Sequence, residues 1–258
     1  MPETERIAAG LLLEQSAFES EIYGRPAARL LLDQDAGNLE QIDRFLAGAA
    51  HRWQKAGYLL ISCRLPQALD ARLGEKFDAA GFRKIETLVT LERQIPVASE
   101  GLPRPDKAEP RDFDACIELA KSAFSYDRFH VDRRLPASKA DQLKAAWVRN
   151  ALNGRADTAL VARNGIGDIV GFNLLLRRGN AAIIDLIAVA ETARGQGYGR
   201  KLVEAGIESY RGQALTMRAG TQIDNTASLA LYRQCGFHQI ESAITRHWVA
   251  PTATGLIQ

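Results

Sequence analysis

IIDLIAVAETARGQGYGRKLVEAGIESY, residues 183–210, reads as a strand ending at Val189, a glycine-rich turn and then a helix. The helix carries a buried stripe at Leu202, Val203, Gly206, Ile207 and Tyr210, spaced by one helical turn. In the turn Arg194-Gly195-Gln196-Gly197-Tyr198-Gly199, glycines let successive backbone N–H groups converge on an anion at a helix N-terminus, where orphan donors and the dipole favour negative charge. The plainer reading is a glycine-rich turn that only starts a helix. A dinucleotide fingerprint would need glycine at position 200, which is Arg200, and a phosphate-binding loop ending in Gly-Lys-Ser/Thr is absent.

Upstream of this stretch the pattern predicts helices over Arg111–Phe124 and Ala137–Leu152, the second with Leu143, Ala146, Trp147 and Ala151 at three- and four-residue spacing. Strands follow at Thr158–Arg163 and Ile169–Arg177, joined by the turn Asn164-Gly165-Ile166-Gly167-Asp168, and a third at Ala181–Val189 completes an antiparallel set. Downstream come a strand at Ala214–Gly220, a helix at Thr226–Gln234 and a final pair of strands ending near Trp248. Further up the chain the reading is helix Leu39–Lys55, strand Tyr58–Arg64, helix Leu69–Ala80 and strand Arg83–Arg93, with Gly57 and Gly81 as helix stops. The order is α+β. Ile95 to Pro110 holds four of the nine prolines and no period, which marks a linker. The expected domains are 1–95, a linker at 96–110 and 111–258.

Length and composition set the bounds. The 258 residues suffice for one large or two small domains, and 46% apolar with 25% charged residues is a globular balance. Thirty-three basic against 31 acidic side chains give +2, too weak a field for bulk binding of nucleic acid or an anionic membrane. Cys63, Cys116 and Cys235 are odd in number and widely spaced, which fits a reducing cytoplasm, and neither they nor His51, His130, His238 and His247 show metal-ligand spacing, so no metal is expected. Residues 1–15 carry Glu3 and Glu5 where a signal peptide needs basic residues, and AAIIDLIAVA, the longest apolar run, is too short to cross a bilayer and contains Asp185.

Arg194-Gly195-Gln196-Gly197-Tyr198-Gly199 after the strand residues Ile187-Ala188-Val189 resembles the acyl-CoA signature of the GNAT superfamily of N-acyltransferases. The resemblance spans about Pro105 to Trp248. It implies the GNAT fold and acetyl-CoA as cosubstrate, its pyrophosphate on Arg194, Gly195, Gln196, Gly197, Tyr198, Gly199 and Arg200, its pantetheine on the backbone of Ile187 and Val189. Asn225 opens the following helix, and Tyr232 lies two turns on, on the same face. By resemblance Asn225 contacts the CoA arm and Tyr232 is the acid that protonates the leaving thiolate; as plainer roles they are a helix cap and an interface tyrosine. Asp185 is the candidate base. Strict alternation gives it one face with Ile183, Ile187 and Val189, where a carboxylate is costly unless paired or functional.

Ser122 to His130, the helix with Trp147, and Gly220 to Tyr232 are similar in wording to the TDP-fucosamine acetyltransferase group of sugar-nucleotide N-acetyltransferases. That resemblance implies an amino-sugar acceptor met by Arg128, Phe129 and Trp147, with Arg133 and Arg134 nearby, although a solvated charged loop is the plainer reading of the arginines. It also implies an N-terminal truncated GNAT-like domain. Superposing Gly81-Phe82 on Gly236-Phe237, 155 positions apart, lays Ile85-Glu86 on Ile240-Glu241, Phe77 on Tyr232 and Asp70 on Asn225, with no glycine loop in the first half. The expected protein is a cytoplasmic N-acetyltransferase acting on a small-molecule amine, with a homodimer as the expected assembly. Another small amine, an amino acid or a protein N-terminus remain alternative acceptors, and a non-catalytic CoA-binding module is the alternative of another class.

Overall fold

The computed structural model describes residues 4–8, 10–32, 39–98, 101 and 106–251. Two compact units divide the chain: Met1–Leu88 with Asp127–Ala140 and Ser242–Gln258, and Val89–Tyr126 with Asp141–Glu241.

The first unit holds β1 (Thr4–Ala8), β2 (Leu11–Gln15), α1 (Ala17–Tyr23), β3 (Ala27–Leu32), α2 (Leu39–Leu46), α3 (Ala49–Lys55), β4 (Leu60–Pro66), α4 (Gln67–Ala79) and the start of β5 (Arg83–Gln94). The elements from β1 to β3 carry no expectation above. The single helix expected over Leu39–Lys55 is two, because Gly48 at φ +75° turns the chain between them. β1, β2 and β3 pair antiparallel, β3 runs parallel to β4, and β4 pairs antiparallel with residues Ala243–Val249 of β10 (His238–Val249). Trp53 anchors the core, edge-on to Phe82 at 5.6 Å and against Trp248 at 5.5 Å, with Phe77 fully buried 5.0 Å from Phe82. Burying rings of this size contributes about 1.5–3 kcal/mol each.

The second unit adds α5 (Phe113–Ala123), most of α7 (Ala137–Asn150), β6 (Thr158–Arg163), β7 (Ile169–Arg178), β8 (Ala181–Val189), α8 (Tyr198–Ser209), β9 (Thr216–Gln222) and α9 (Thr226–Gln234); the short α6 (Arg128–Val131) belongs to the first. β6, β7 and β8 form the expected antiparallel set, and β8 is parallel to β9. Where a pair of strands was expected to close the chain, β10 is one strand of 12 residues. The segment read as a linker is not irregular throughout, since Lys107 bridges to Leu160 and Ile95 donates its N–H to the Leu215 carbonyl; residues 99–100 and 102–105 lie outside the described residues.

One face of β6–β9 packs α8 through Leu160, Leu175, Ile184, Leu202, Val203 and Ile207; the other packs α5 and α7 through Cys116, Val148, Phe172, Leu186 and Ala188. Among the described residues no helix is long and apolar enough to cross a membrane.

Candidate active site

β8 and β9 are paired only from Ala181–Thr216 to Ile184–Ala219, although β8 continues to Val189 and β9 to Gln222. From Asp185 onward the β9 side of β8 therefore has no backbone partner, while its other side stays paired with β7 through Val189–Gly171. Unpaired N–H and C=O groups on one side of a strand are a template for an extended ligand.

Ile187 and Val189 lie on this free stretch, and the chain leaves β8 through a single 3-10 turn, Glu191–Ala193, into the glycine loop. Gly195 and Gly197 adopt φ +76° and +84°, the left-handed region that glycine enters without strain. An added Cβ at either would meet nothing within 4 Å. Arg194 to Gly197 are exposed and lead directly into α8, whose first residue is Tyr198. Gln196 is tied back to the Thr192 carbonyl at 3.1 Å, and Arg200 to Glu204 at 2.7 Å. Gly199 answers to a different demand: a Cβ there would sit 3.2 Å from Leu231 of α9, so the small residue lets α8 and α9 approach.

Asn225 caps α9, its side chain accepting from the Ser228 N–H at 3.1 Å. Tyr232, on the last turn of that helix, is buried with its ring 5.4 Å from that of Phe237, and burial pushes its phenol pKa up. Cys235, close to Arg200 and Glu204, is a buried thiol raised to about 11 by desolvation.

The expected environment of Asp185 needs correction. Leu174 pairs with Leu186 and Leu175 with Ile184, so Asp185 is the extra residue of a β-bulge. The bulge reverses the alternation. Ala182 and Ile184 face the α8 side before it, as Ile187 and Val189 do after it, whereas Leu186 and Ala188 face α5 and α7. Asp185 thus does not share a face with Ile187 and Val189; it reaches the α7 side, where its Oδ2 accepts from the Trp147 indole N–H at 2.9 Å and is ion-paired with Arg155. The carboxylate on the inner part of a strand is matched by two donors, as burial requires. Arg155 carried no sequence expectation. It closes a π-helical turn, Ala151–Arg155, in which Gly154 takes φ +110°.

Arg128 and Phe129 lie in the first unit and Trp147 in the second. Arg128 is ion-paired at 2.9 Å with Glu19, which is 1% exposed, and its guanidinium lies 4.5 Å from the Phe129 ring centre. Phe129 is buried, 6.5 Å from Tyr23 and 6.1 Å from His247 ring to ring. Arg134 forks onto Asp132 with two contacts of 2.8 Å.

The strand that parts from its parallel neighbour beside a glycine loop at a helix N-terminus is the candidate site, and residues 114–237 match the acetyltransferase (GNAT) family. The chain belongs to that family of acyltransferases. It is 33% identical over 173 residues to the dTDP-fucosamine acetyltransferase of Escherichia coli O6:H1, an alignment covering 66% of this chain and 71% of that protein. It is 34% identical over 140 residues to the spore coat polysaccharide biosynthesis protein SpsD of Bacillus subtilis, covering 54% of this chain and about half, 48%, of that relative. A functionally unknown conserved protein from Staphylococcus epidermidis shares the fold with a TM-score of 0.67 at 12% identity, over 96% of this chain and 94% of that one. A GCN5-related N-acetyltransferase from Sphaerobacter thermophilus does so with 0.64 at 14%, over 92% and 76%.

Proposed function

We propose that the protein is a cytoplasmic N-acetyltransferase that moves an acetyl group from acetyl-CoA to the amino group of a nucleotide-linked amino sugar. The observation that carries the reading is the unpartnered β8 edge from Asp185 to Val189, leading into left-handed, open glycines at a helix start. These residues fit the donor: Arg194 to Arg200 would hold its pyrophosphate, the backbone of Ile187 and Val189 its pantetheine, and Asn225 its arm. The donor, when bound, supplies an activated acyl carbon. Unpaired β8 N–H groups would stabilise negative charge developing on the acyl oxygen. Tyr232 is the proposed acid: burial raises its pKa, so Oη keeps its proton and would donate it along a hydrogen bond to the departing sulfur. Because a thiol titrating near 8.5 is the stronger acid, the transfer would be completed only as the proton released by the amine restores the phenol. Asp185 uses Oδ2 on Trp147 and Arg155, so Oδ1 is the oxygen that takes the amine proton.

The acceptor class is supported by the name of the Escherichia coli relative and rests, in this chain, on Trp147. A thiol-release assay with nucleotide-linked and free amino sugars, amino acids and peptides tests the reading. Release with amino acids or peptides alone would refute the acceptor, and no release with any amine would leave a CoA-binding module. The first unit is proposed as a truncated copy with no glycine loop, so titration should give one CoA per chain; two equivalent sites would refute the copy's loss of function.

A further inference from the structure

The last paired residues of β8 and β9 are Ile184 and Ala219, so the gap between the strands closes at Asp185, while the glycine loop lies beyond its open end. A donor fixed at the loop and along the free edge directs its acyl end toward Asp185. Any acceptor must therefore bring its amine among the side chains gathered there, which belong to the α7 side: Trp147, Arg155 and Lys144.

Their arrangement is fixed by a hydrogen bond, an ion pair and ring contacts. Trp147 donates to Asp185 at 2.9 Å, which fixes the plane of the indole. The Arg155 guanidinium is ion-paired with the same carboxylate oxygen and lies 5.5 Å from the Trp147 ring centre. Lys144 Nζ lies 5.1 Å from that ring and 5.0 Å from the ring of Phe124. Arg155 is the exposed member, with 38% of its side chain in solvent against 13% for Asp185. A guanidinium has five N–H donors in a planar fork, and an anchored fork loses little further entropy on binding.

We propose that Arg155 is a specificity-determining residue that binds the diphosphate of the acceptor, anchored by Asp185 and Trp147. The inference rests on the sugar-nucleotide reading above and deepens it. The left-handed Gly154 that precedes Arg155 is part of the device, since it sets the turn from which the side chain projects.

The test compares the parent protein with Arg155→Gln and Arg155→Lys, using one amino sugar with and without its nucleoside diphosphate. Arg155→Gln should lower kcat/KM for the phosphate-bearing acceptor roughly 10- to 100-fold more than for the free sugar, chiefly through KM. Arg155→Lys should recover part of this difference, because it restores the charge and not the fork. In parallel, protein saturated with CoA, so that the glycine loop is filled, should bind free nucleoside diphosphate in calorimetry and lose that binding in Arg155→Gln. Equal losses with both acceptors, mainly in kcat, would mean that Arg155 only holds Asp185 and would overturn the inference. Parent protein that acetylates amines but shows no preference for the phosphate-bearing one would also overturn it, leaving the acetyltransferase reading intact. No acetylation of any amine would overturn both.

Discussion

Gly197→Glu separates the glycine loop's role as a ligand cradle from its role as a turn. Gly197 sits at φ +84°, ψ −2°, directly before α8, and nothing lies within 4 Å of where its Cβ would be. A Cβ there meets no atom and the position is exposed, so the cost to folding is chiefly the left-handed backbone, about 1–2 kcal/mol. A domain stable by roughly 5–15 kcal/mol survives that. Binding is affected much more strongly. A carboxylate about 5 Å from a pyrophosphate bearing two charges opposes it by about 3 kcal/mol at an effective dielectric near 40. Displacing the phosphate from one backbone N–H removes about 1.5–3 kcal/mol more. Acetyl-CoA affinity should fall at least ~10³-fold. Calorimetry with acetyl-CoA measures this, alongside urea unfolding and the control Gly197→Ala, which carries the strain without the charge. Gly197→Ala should lose the same stability and less than about tenfold in affinity. A folded Gly197→Glu protein that binds acetyl-CoA within about threefold of the parent would refute the cradle.

Other substitutions address the proton transfers and the first unit. Tyr232→Phe keeps the ring against Phe237 and removes the hydroxyl, so turnover should drop roughly 10²- to 10³-fold with acetyl-CoA affinity little changed; a single-turnover loss below about fivefold would exclude Tyr232 as the acid. Asp185→Asn keeps acceptor lone pairs on one atom for Trp147 and Arg155, and as a base mutant it should be most impaired at low pH and recover as pH rises; a mutant-to-parent rate ratio flat across pH would remove Asp185 from proton transfer. Burial holds the His247 pKa below its ordinary value, so between about 6.5 and the lower native value the unfolded chain binds the extra proton. Stability is fully present above about pH 6.5 and declines as pH falls below it. His247→Gln should flatten that limb in urea titrations, and an unchanged slope would show that His247 does not titrate on unfolding.

The sequence discloses best what is local. The β6–β8 antiparallel set, the turn at Asn164–Asp168 and α9 at Thr226–Gln234 follow from alternation and glycine placement, and the structure has them where expected. Leu11–Gln15 and Ala27–Leu32 escape because runs of five or six mostly apolar residues do not distinguish strand from buried helix. β10 reads as two strands because its first four residues are exposed and its last seven buried, two environments on one continuous backbone. The orientation of Asp185 depends on a bulge defined by pairing with β7, and its partner Arg155 lies 30 residues away. Neither leaves a periodic trace in the chain.

The place of β10 in the first unit bears on how the protein is made. Trp248 closes the core around Trp53, and Ala243–Val249 supply the hydrogen-bonding neighbour of β4, whose Leu60, Ile61, Cys63 and Leu65 are all buried. A ribosome adding about 5–20 residues per second delivers β4 some ten seconds or more before that neighbour emerges. During this interval the N-terminal segment has an open strand edge and an unsealed aromatic cluster, so it is the part of the nascent chain most in need of a chaperone. Messenger sequences that slow translation between the two halves should lower the soluble yield, and a fragment ending before β10 should be sticky rather than a free-standing domain.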